Sequence, residues 1–472
     1  MVRCVTRGRR RGEPDGKMAR VIDNVAIRVG AMDNGPTVYG SFLMAVMPQT
    51  LTRPNSQLGA VVILGVLFFI FGFVTWINGP LITFVKLAFD LDTDSKAFLV
   101  TTAFYMSYFF LALPSSWILE KTGMKRGMAL GLLVMALGSF AFGTFATARN
   151  YPAALFGLFV IGSGLSILQT ASNPYISIVG PIESAAQRIS VMGICNKLAG
   201  ILGPILIGAY VLQGVDALEA QIATTTDPAV REPLLQAFAA RIYTPYMIMA
   251  SALVLLAVWI ARSPLPDVSA SEVNAAPAGD GAQRASLFAY PHVWLGAFCI
   301  FVYVGVEVMA ADAIGTYGKG FEIPTSETRW YTAVTLTAML IGYLIGLVTI
   351  PRWVSQQDAL KYSAILGLVF TVAAFLTKGY VSVAFVAALG LANALMWPAI
   401  FPLAIRGLGR LTERGSALLI MGIAGGAIIP KAFASLKDSY DFQLVFAALM
   451  LPCYLYIFYY STRGYRAGGM GH

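Results

Sequence analysis

The sequence predicts an all-α membrane protein of twelve transmembrane helices, arranged as two pseudo-symmetric six-helix bundles. Three observations predict it. First, the 472 residues are 57% hydrophobic and 12% charged, with a mean hydropathy of +0.70. A soluble domain carries about 25% charged residues, so most of this surface is built to meet lipid. Second, runs of about 20 apolar residues, enough to cross the hydrocarbon core as a helix, recur down the chain. Third, those runs divide at one polar linker into two sets of six, and motifs of the first set return in the second.

The spans are predicted at about 59–86, 95–119, 125–147, 151–180, 187–213, 243–262, 288–317, 327–351, 357–377, 380–405, 414–437 and 441–461. Residues 1–58 are polar and Arg-rich, without the apolar core of a signal peptide, and read as a disordered cytoplasmic tail in which Met18, Met44 and Met47 are alternative starts. Residues 59–262 form the first bundle and 288–462 the second. Between them, 263–287 is rich in Pro, Ala, Gly and Ser, as a flexible linker is. Residues 463–472 are a second short tail, and 214–242 read as a loop of mixed charge.

Orientation follows from the basic residues. With the amino terminus inside, the inner segments collect the Arg-rich tail, Lys121, Lys125, Arg126, Arg188, Arg262, Arg284, Arg352, Lys361, Arg406, Arg410, Arg414, Arg463 and Arg466. That is about two thirds of all basic residues, so both termini are expected in the cytoplasm. The net charge of +9 lies in short loops between apolar runs, which suits membrane orientation and not nucleic acid. Cys4, Cys195, Cys299 and Cys453 are scattered without metal or redox spacing, and His292 and His472 cannot build a metal site alone. No nucleophile–base spacing appears, so an enzyme is disfavoured.

The internal echo is local and ordered. In span 4, Gln169, Asn173 and Pro174 align with Asn393, Trp397 and Pro398 of span 10. Spans 5 and 11 both carry Met-Gly-Ile (Met192–Ile194, Met421–Ile423), then glycines and a proline (Pro204, Pro430). Paired halves with a site at the midplane between them are a transporter architecture.

Polar groups inside spans need partners or a wet cavity. Glu307 and Asp312, both in span 7, are the two acids inside predicted spans, and either suits a bound cation or a structural ion pair. Lys197 of span 5 is the one basic residue deep in a span of the first half, either a fixed cavity charge or a side chain reaching for the interface. Lys431, late in span 11, reads as reaching outward. Asn78 precedes Gly79-Pro80, a break in span 1. Gln169 and Asn173 share a helix face, as do Asn393 and Trp397. Together with Asn196 these amides can hydrogen-bond a neutral hydroxyl-rich ligand, with Trp76, Tyr105, Tyr108, Tyr175, Tyr303 and Trp397 as flat apolar platforms. Interhelical hydrogen bonding is the structural alternative for the amides. In the loop between spans 2 and 3, Glu120, Lys121, Gly123, Lys125 and Arg126 suit a charge latch between helix ends.

The spacing of that loop resembles the loop signature of the major facilitator superfamily, with Ser116 where a glycine is usual. Longer segments, FFIFGFVTWINGPLITFVKLAFDL, AFYMSYFFLALPSSWIL, GLSILQTASNPYISIVGP, TPYMIMA, FVYVGVEV, WPAIFPLAIRGLG and MGIAGGAIIP, resemble its fucose–galactose–glucose:cation symporter family, and the glucose/galactose and N-acetylglucosamine branch in particular. The resemblance implies the major facilitator fold, alternating access, and import of a hexose or N-acetylhexosamine across a bacterial inner membrane. It implies a monomer without cofactor, co-transporting H⁺ or Na⁺. Two departures bear on coupling. Where fucose-transporting members carry an Asn-Asp pair in span 1, this chain has Asn78-Gly79. Where they carry a Glu in span 4, it has Gln169. A coupling cation then falls to Glu307 and Asp312 with Lys197, and without such coupling the chain is a uniporter. A drug-type exporter and a non-transporting sugar sensor are the competing classes.

Overall fold

The computed structural model describes residues 54–178, 185–265, 286–350 and 352–468. Most of the predicted polar tail and linker therefore lies outside the described residues. Among those described, every regular element is helical, as a bilayer demands of backbone groups that have no water to bond. Twelve helices are long and apolar enough to span: Gly59–Ala88, Asp94–Thr122, Met124–Thr147, Tyr151–Ile176, Arg188–Tyr210, Pro228–Arg262, Pro291–Ala311, Thr325–Thr349, Gln356–Leu376, Gly379–Ile405, Thr412–Leu436 and Phe442–Thr462. They are numbered spans 1–12 below.

The packing order carries the two-fold repeat. In the first half, span 3 packs on spans 4 and 6, span 2 on span 4, and span 1 on span 5. In the second half, span 9 packs on spans 10 and 12, span 8 on span 10, and span 7 on span 11. Each pair is its counterpart shifted by six. The halves meet where span 5 lies on span 8 and span 2 on span 11, which again map onto each other.

Prolines set the breaks. Span 1 is interrupted between Trp76 and Asn78, because Pro80 cannot donate to the carbonyl four residues back and its ring pushes that carbonyl away. Span 10 is interrupted between Asn393 and Met396 for the same reason at Pro398. Glycine sets the closest approaches. A β-carbon on Gly72 would overlap the Asn196 backbone, so span 1 can lie against span 5 only because position 72 has none. Gly123, at φ 77°, turns the chain from span 2 into span 3.

Two expectations need correction. Residues 214–242 are not a loop: Val215–Thr224 and Pro228–Ala240 are helices, the second started by Asp227, whose carboxylate accepts from the Ala229 N–H at 2.9 Å. Span 7 ends at Ala311, and Ile314–Lys319 is a separate short helix.

Below, the face bearing the loops after spans 1, 3, 5, 7, 9 and 11 is termed the odd-loop face. There the halves are tied by polar contacts. Glu219 accepts from Thr325 at 3.0 Å and pairs with Lys319 at 3.3 Å, and Asp216 accepts from the Ser326 N–H at 3.0 Å. Arg329 donates to the Leu212 carbonyl at 2.8 Å. Asp94 pairs with Lys437 at 2.6 Å, and the Ser95 and Ser435 hydroxyls meet at 3.0 Å. Lys431 reaches for this face, where its ammonium donates to Ser95 Oγ at 2.5 Å and to the Ser95 carbonyl.

Candidate functional site

Between the halves lies a cavity lined from eight spans. Spans 1 and 2 contribute Phe68, Phe71, Thr75, Trp76, Tyr105 and Tyr108. Spans 4 and 5 contribute Gln169, Asn173, Ile189, Gly193, Asn196 and Lys197. The second half supplies Tyr303, Val304, Glu307 and Val308, then Tyr343, Trp397 and Ile423. About 90 Å³ of it admits water, on the order of six water positions at about 15 Å³ each.

Its charged element joins the halves. Lys197 Nζ of span 5 donates to Glu307 Oε1 of span 7 at 2.9 Å, and both side chains are at most 10% exposed. The same ammonium lies 3.8 Å from the centre of the Trp76 ring. Trp76 in turn donates its indole N–H to Asn196 Oδ1 at 2.9 Å, which fixes the ring over the lysine. Glycine makes this possible, since Gly200 presents no side chain to the Trp76 ring, and Gly193 none to Tyr343. Interface snorkelling is thus not what Lys197 does.

The amides divide. Gln169 donates to the Tyr108 hydroxyl at 2.9 Å and lines the cavity. Asn173 bonds back to the Gln169 carbonyl at 3.0 Å and also lines it, as does Asn196. Tyr303 and Trp397 adjoin across the cavity, their ring centres 6.4 Å apart. Asn78 and Asn393 are not among the lining residues. Asn393 is fully buried within the second half, where it accepts from Tyr454 at 2.9 Å. Asn78 is buried near Tyr105 and Asp312, toward the odd-loop face. Tyr175 is buried in its own bundle and is likewise outside the lining.

Asp312 is 2% exposed and follows span 7 directly. In the loop between spans 2 and 3, Lys121 stacks on Trp117 at 3.8 Å, and Lys125 donates to the Ser263 carbonyl at 2.7 Å, tying span 3 to the end of span 6 in the same half. Sequence reasoning missed Tyr343, Thr75 and Phe68, whose apolar contexts give no sign of which face they occupy. It also missed Glu413, 2% exposed at the start of span 11, because the predicted span began one residue later.

Two six-helix halves of repeated packing, closed around a polar cavity that both halves line, define a secondary transporter of the rocking type. The model of the Major Facilitator Superfamily matches residues 64–430. Over 408 residues the chain is 34% identical to the glucose/galactose transporter of Brucella abortus, covering 85% of this chain and 93% of that one. It is 29% identical over 384 residues to the L-fucose-proton symporter of Escherichia coli, covering 79% and 85%. A crystal structure of the E. coli fucose:proton symporter shares the fold, with a TM-score of 0.67 at 24% identity over 85% of this chain and 97% of that one. The chain belongs to the major facilitator superfamily, within its fucose–galactose–glucose:cation symporter family.

Proposed function

We propose that this protein imports a hexose or N-acetylhexosamine across the bacterial inner membrane together with H⁺ or Na⁺, by alternating access. The observation that carries the reading is the cavity between the halves. Gln169, Asn173 and Asn196 offer amide donors and acceptors for hydroxyls, while Trp76, Tyr303 and Trp397 offer flat apolar faces for a sugar ring. The names of the relatives support a sugar as the ligand. Lys197, Glu307 and Asp312 form the coupling group, and Glu120, Lys121, Gly123, Lys125 and Arg126 act at the helix ends as the bundles rock. Residues 1–58 and 463–472 are cytoplasmic tails, and 263–287 is the cytoplasmic linker between bundles 59–262 and 288–462. The odd-loop face is then the outer one. One chain contains the complete cavity, so the monomer is the working unit.

Uptake of radiolabelled glucose, galactose, L-fucose and N-acetylglucosamine into proteoliposomes with imposed pH or Na⁺ gradients tests the reading. Gradient-driven accumulation of at least one of them is expected. No exchange and no accumulation of any sugar would sink it.

A further inference from the structure

Asp312 lies at a join that the cavity does not include. Neither of its carboxylate oxygens has a hydrogen-bond partner, although the residue is 2% exposed. The groups facing it come from five spans. Span 1 presents Asn78 and the backbone N–H of Gly79, span 2 presents Tyr105, and span 5 presents Lys197. Span 7 presents Glu307, and Thr332 of span 8 bonds the Ala311 carbonyl beside it at 2.8 Å. Asn78 Nδ2 and the Tyr105 hydroxyl are themselves buried without partners.

The room for this carboxylate is made by span 1. A β-carbon on Gly79 would stand 3.3 Å from Asp312 Oδ1 and would overlap the Thr332 hydroxyl. A larger side chain at position 79 and a carboxylate at 312 compete for one space.

Charge bookkeeping then separates the two acids. The buried cluster holds one ammonium, Lys197, and two carboxyls, Glu307 and Asp312, so with both ionised it carries one surplus negative charge away from water. One proton removes the surplus. Glu307 accepts from the Lys197 ammonium at 2.9 Å, so protonating it would break an ion pair. Asp312 receives no bond from an ammonium, so protonating it breaks no ion pair. The neighbouring Asn78 Nδ2 and Tyr105 hydroxyl are donors and not the set of oxygens that holds a hard metal cation.

Resting on the sugar–cation symport reading above, we propose that Asp312 is the carrier of the co-transported ion and that the ion is a proton. Asp312 takes up H⁺ as the neutral acid when the odd-loop face is open, and returns it as carboxylate plus H⁺ when water reaches it from the other face. Glu307 holds Lys197 at the sugar cavity throughout.

The test uses the full chain in proteoliposomes and whichever of glucose, galactose, L-fucose and N-acetylglucosamine the wild type exchanges. With one proton per sugar, a pH gradient of one unit supports up to about tenfold accumulation. Asp312→Asn is expected to bring that ratio to about one while sugar exchange without a gradient remains measurable. Asp312→Glu, which keeps a carboxyl at the join, is expected to retain accumulation above twofold. Accumulation by Asp312→Asn equal to wild type overturns the proposal, as does wild-type accumulation driven by Na⁺ and not by pH. Should Asp312→Asn lose exchange as well, Asp312→Glu decides: pH-driven accumulation by it supports the proposal and exchange without accumulation overturns it. Failure of wild-type exchange instead counts against sugar transport itself.

Discussion

Replacing Lys197 by Met tests how the two halves are held at the centre. The ammonium loses its bond to Glu307 at 2.9 Å and its place 3.8 Å from the Trp76 ring, and a carboxylate that is 10% exposed loses its counter-charge. Removing one member of a buried pair costs about 3–5 kcal/mol, mainly through the charge left behind. Glu307→Gln strands the lysine in the same way. The double variant leaves neither charge uncompensated, so it should recover more than half of the summed loss. Thermal unfolding in detergent with a thiol-reactive dye reads this directly, because Cys299 and Cys453 are buried until the bundles open. Taking about 2.1 cal/mol/K per residue over roughly 400 residues, 1 kcal/mol moves the midpoint by about 1 °C. Each single variant is expected to fall by about 3–5 °C and the double variant by less than about 4 °C. A double variant that falls by the full sum would refute the pairing as an energetic unit.

Other outcomes follow from the same geometry. Gly72→Ala forces a β-carbon into the Asn196 backbone, so it should displace span 1 from span 5 and weaken sugar binding measured by Trp fluorescence; unchanged affinity and melting would contradict the close approach. Gln169→Ala leaves the buried Tyr108 hydroxyl without its donor, and an unmet buried polar group costs about 1–3 kcal/mol, so the melting midpoint should fall by about 1–3 °C; an unchanged midpoint would contradict the bond. Ser95→Cys with Ser435→Cys, built on hydroxyls 3.0 Å apart, should form a disulfide that stops transport until a reductant is added; transport at full rate through the cross-link would show that this face does not open. The pH range of this odd-loop contact is set by Lys437. Burial alone would lower its pKa, but the bonds to Asp94 and Asp438 outweigh burial and raise it above the usual lysine value. A raised pKa means the contribution is complete below about 10.5 and is lost only as pH climbs past the raised value, so the melting difference between wild type and Lys437→Ala should stay level from pH 6 to 9.

The spans were legible because lipid imposes length and apolarity on each of them separately, and the halves because motifs repeated in order. The helices at 215–240 were not, since they are short, charged and outside the apolar pattern. One signal was available: Asp227 followed by Pro228 is a helix start, with a capping carboxylate before a residue preorganised for the first turn. The amides show the other limit. Gln169 and Asn393 align in the repeat, yet the first lines the cavity and the second binds Tyr454 inside its bundle. Within an apolar helix, sequence alone does not tell which side faces the partner half. The Lys197–Glu307 pair was readable only as two lone charges, 110 positions apart.

The helical arch after span 5 divides its allegiance. Pro228–Ala240 is fastened to its own half: Arg231 pairs with Asp90 at 2.7 Å, Gln236 donates to the Thr147 carbonyl at 2.7 Å, and Glu232 pairs with Arg149. Val215–Thr224 instead grips the other half through Asp216 and Glu219. A nanobody raised against the first helix would ride on the protein in every stage of its cycle and report only its abundance. One raised against the buried side of the second would find its epitope only after the grip had been released, so that the pair of them, used together on intact cells, would count how many copies stand open at a given moment.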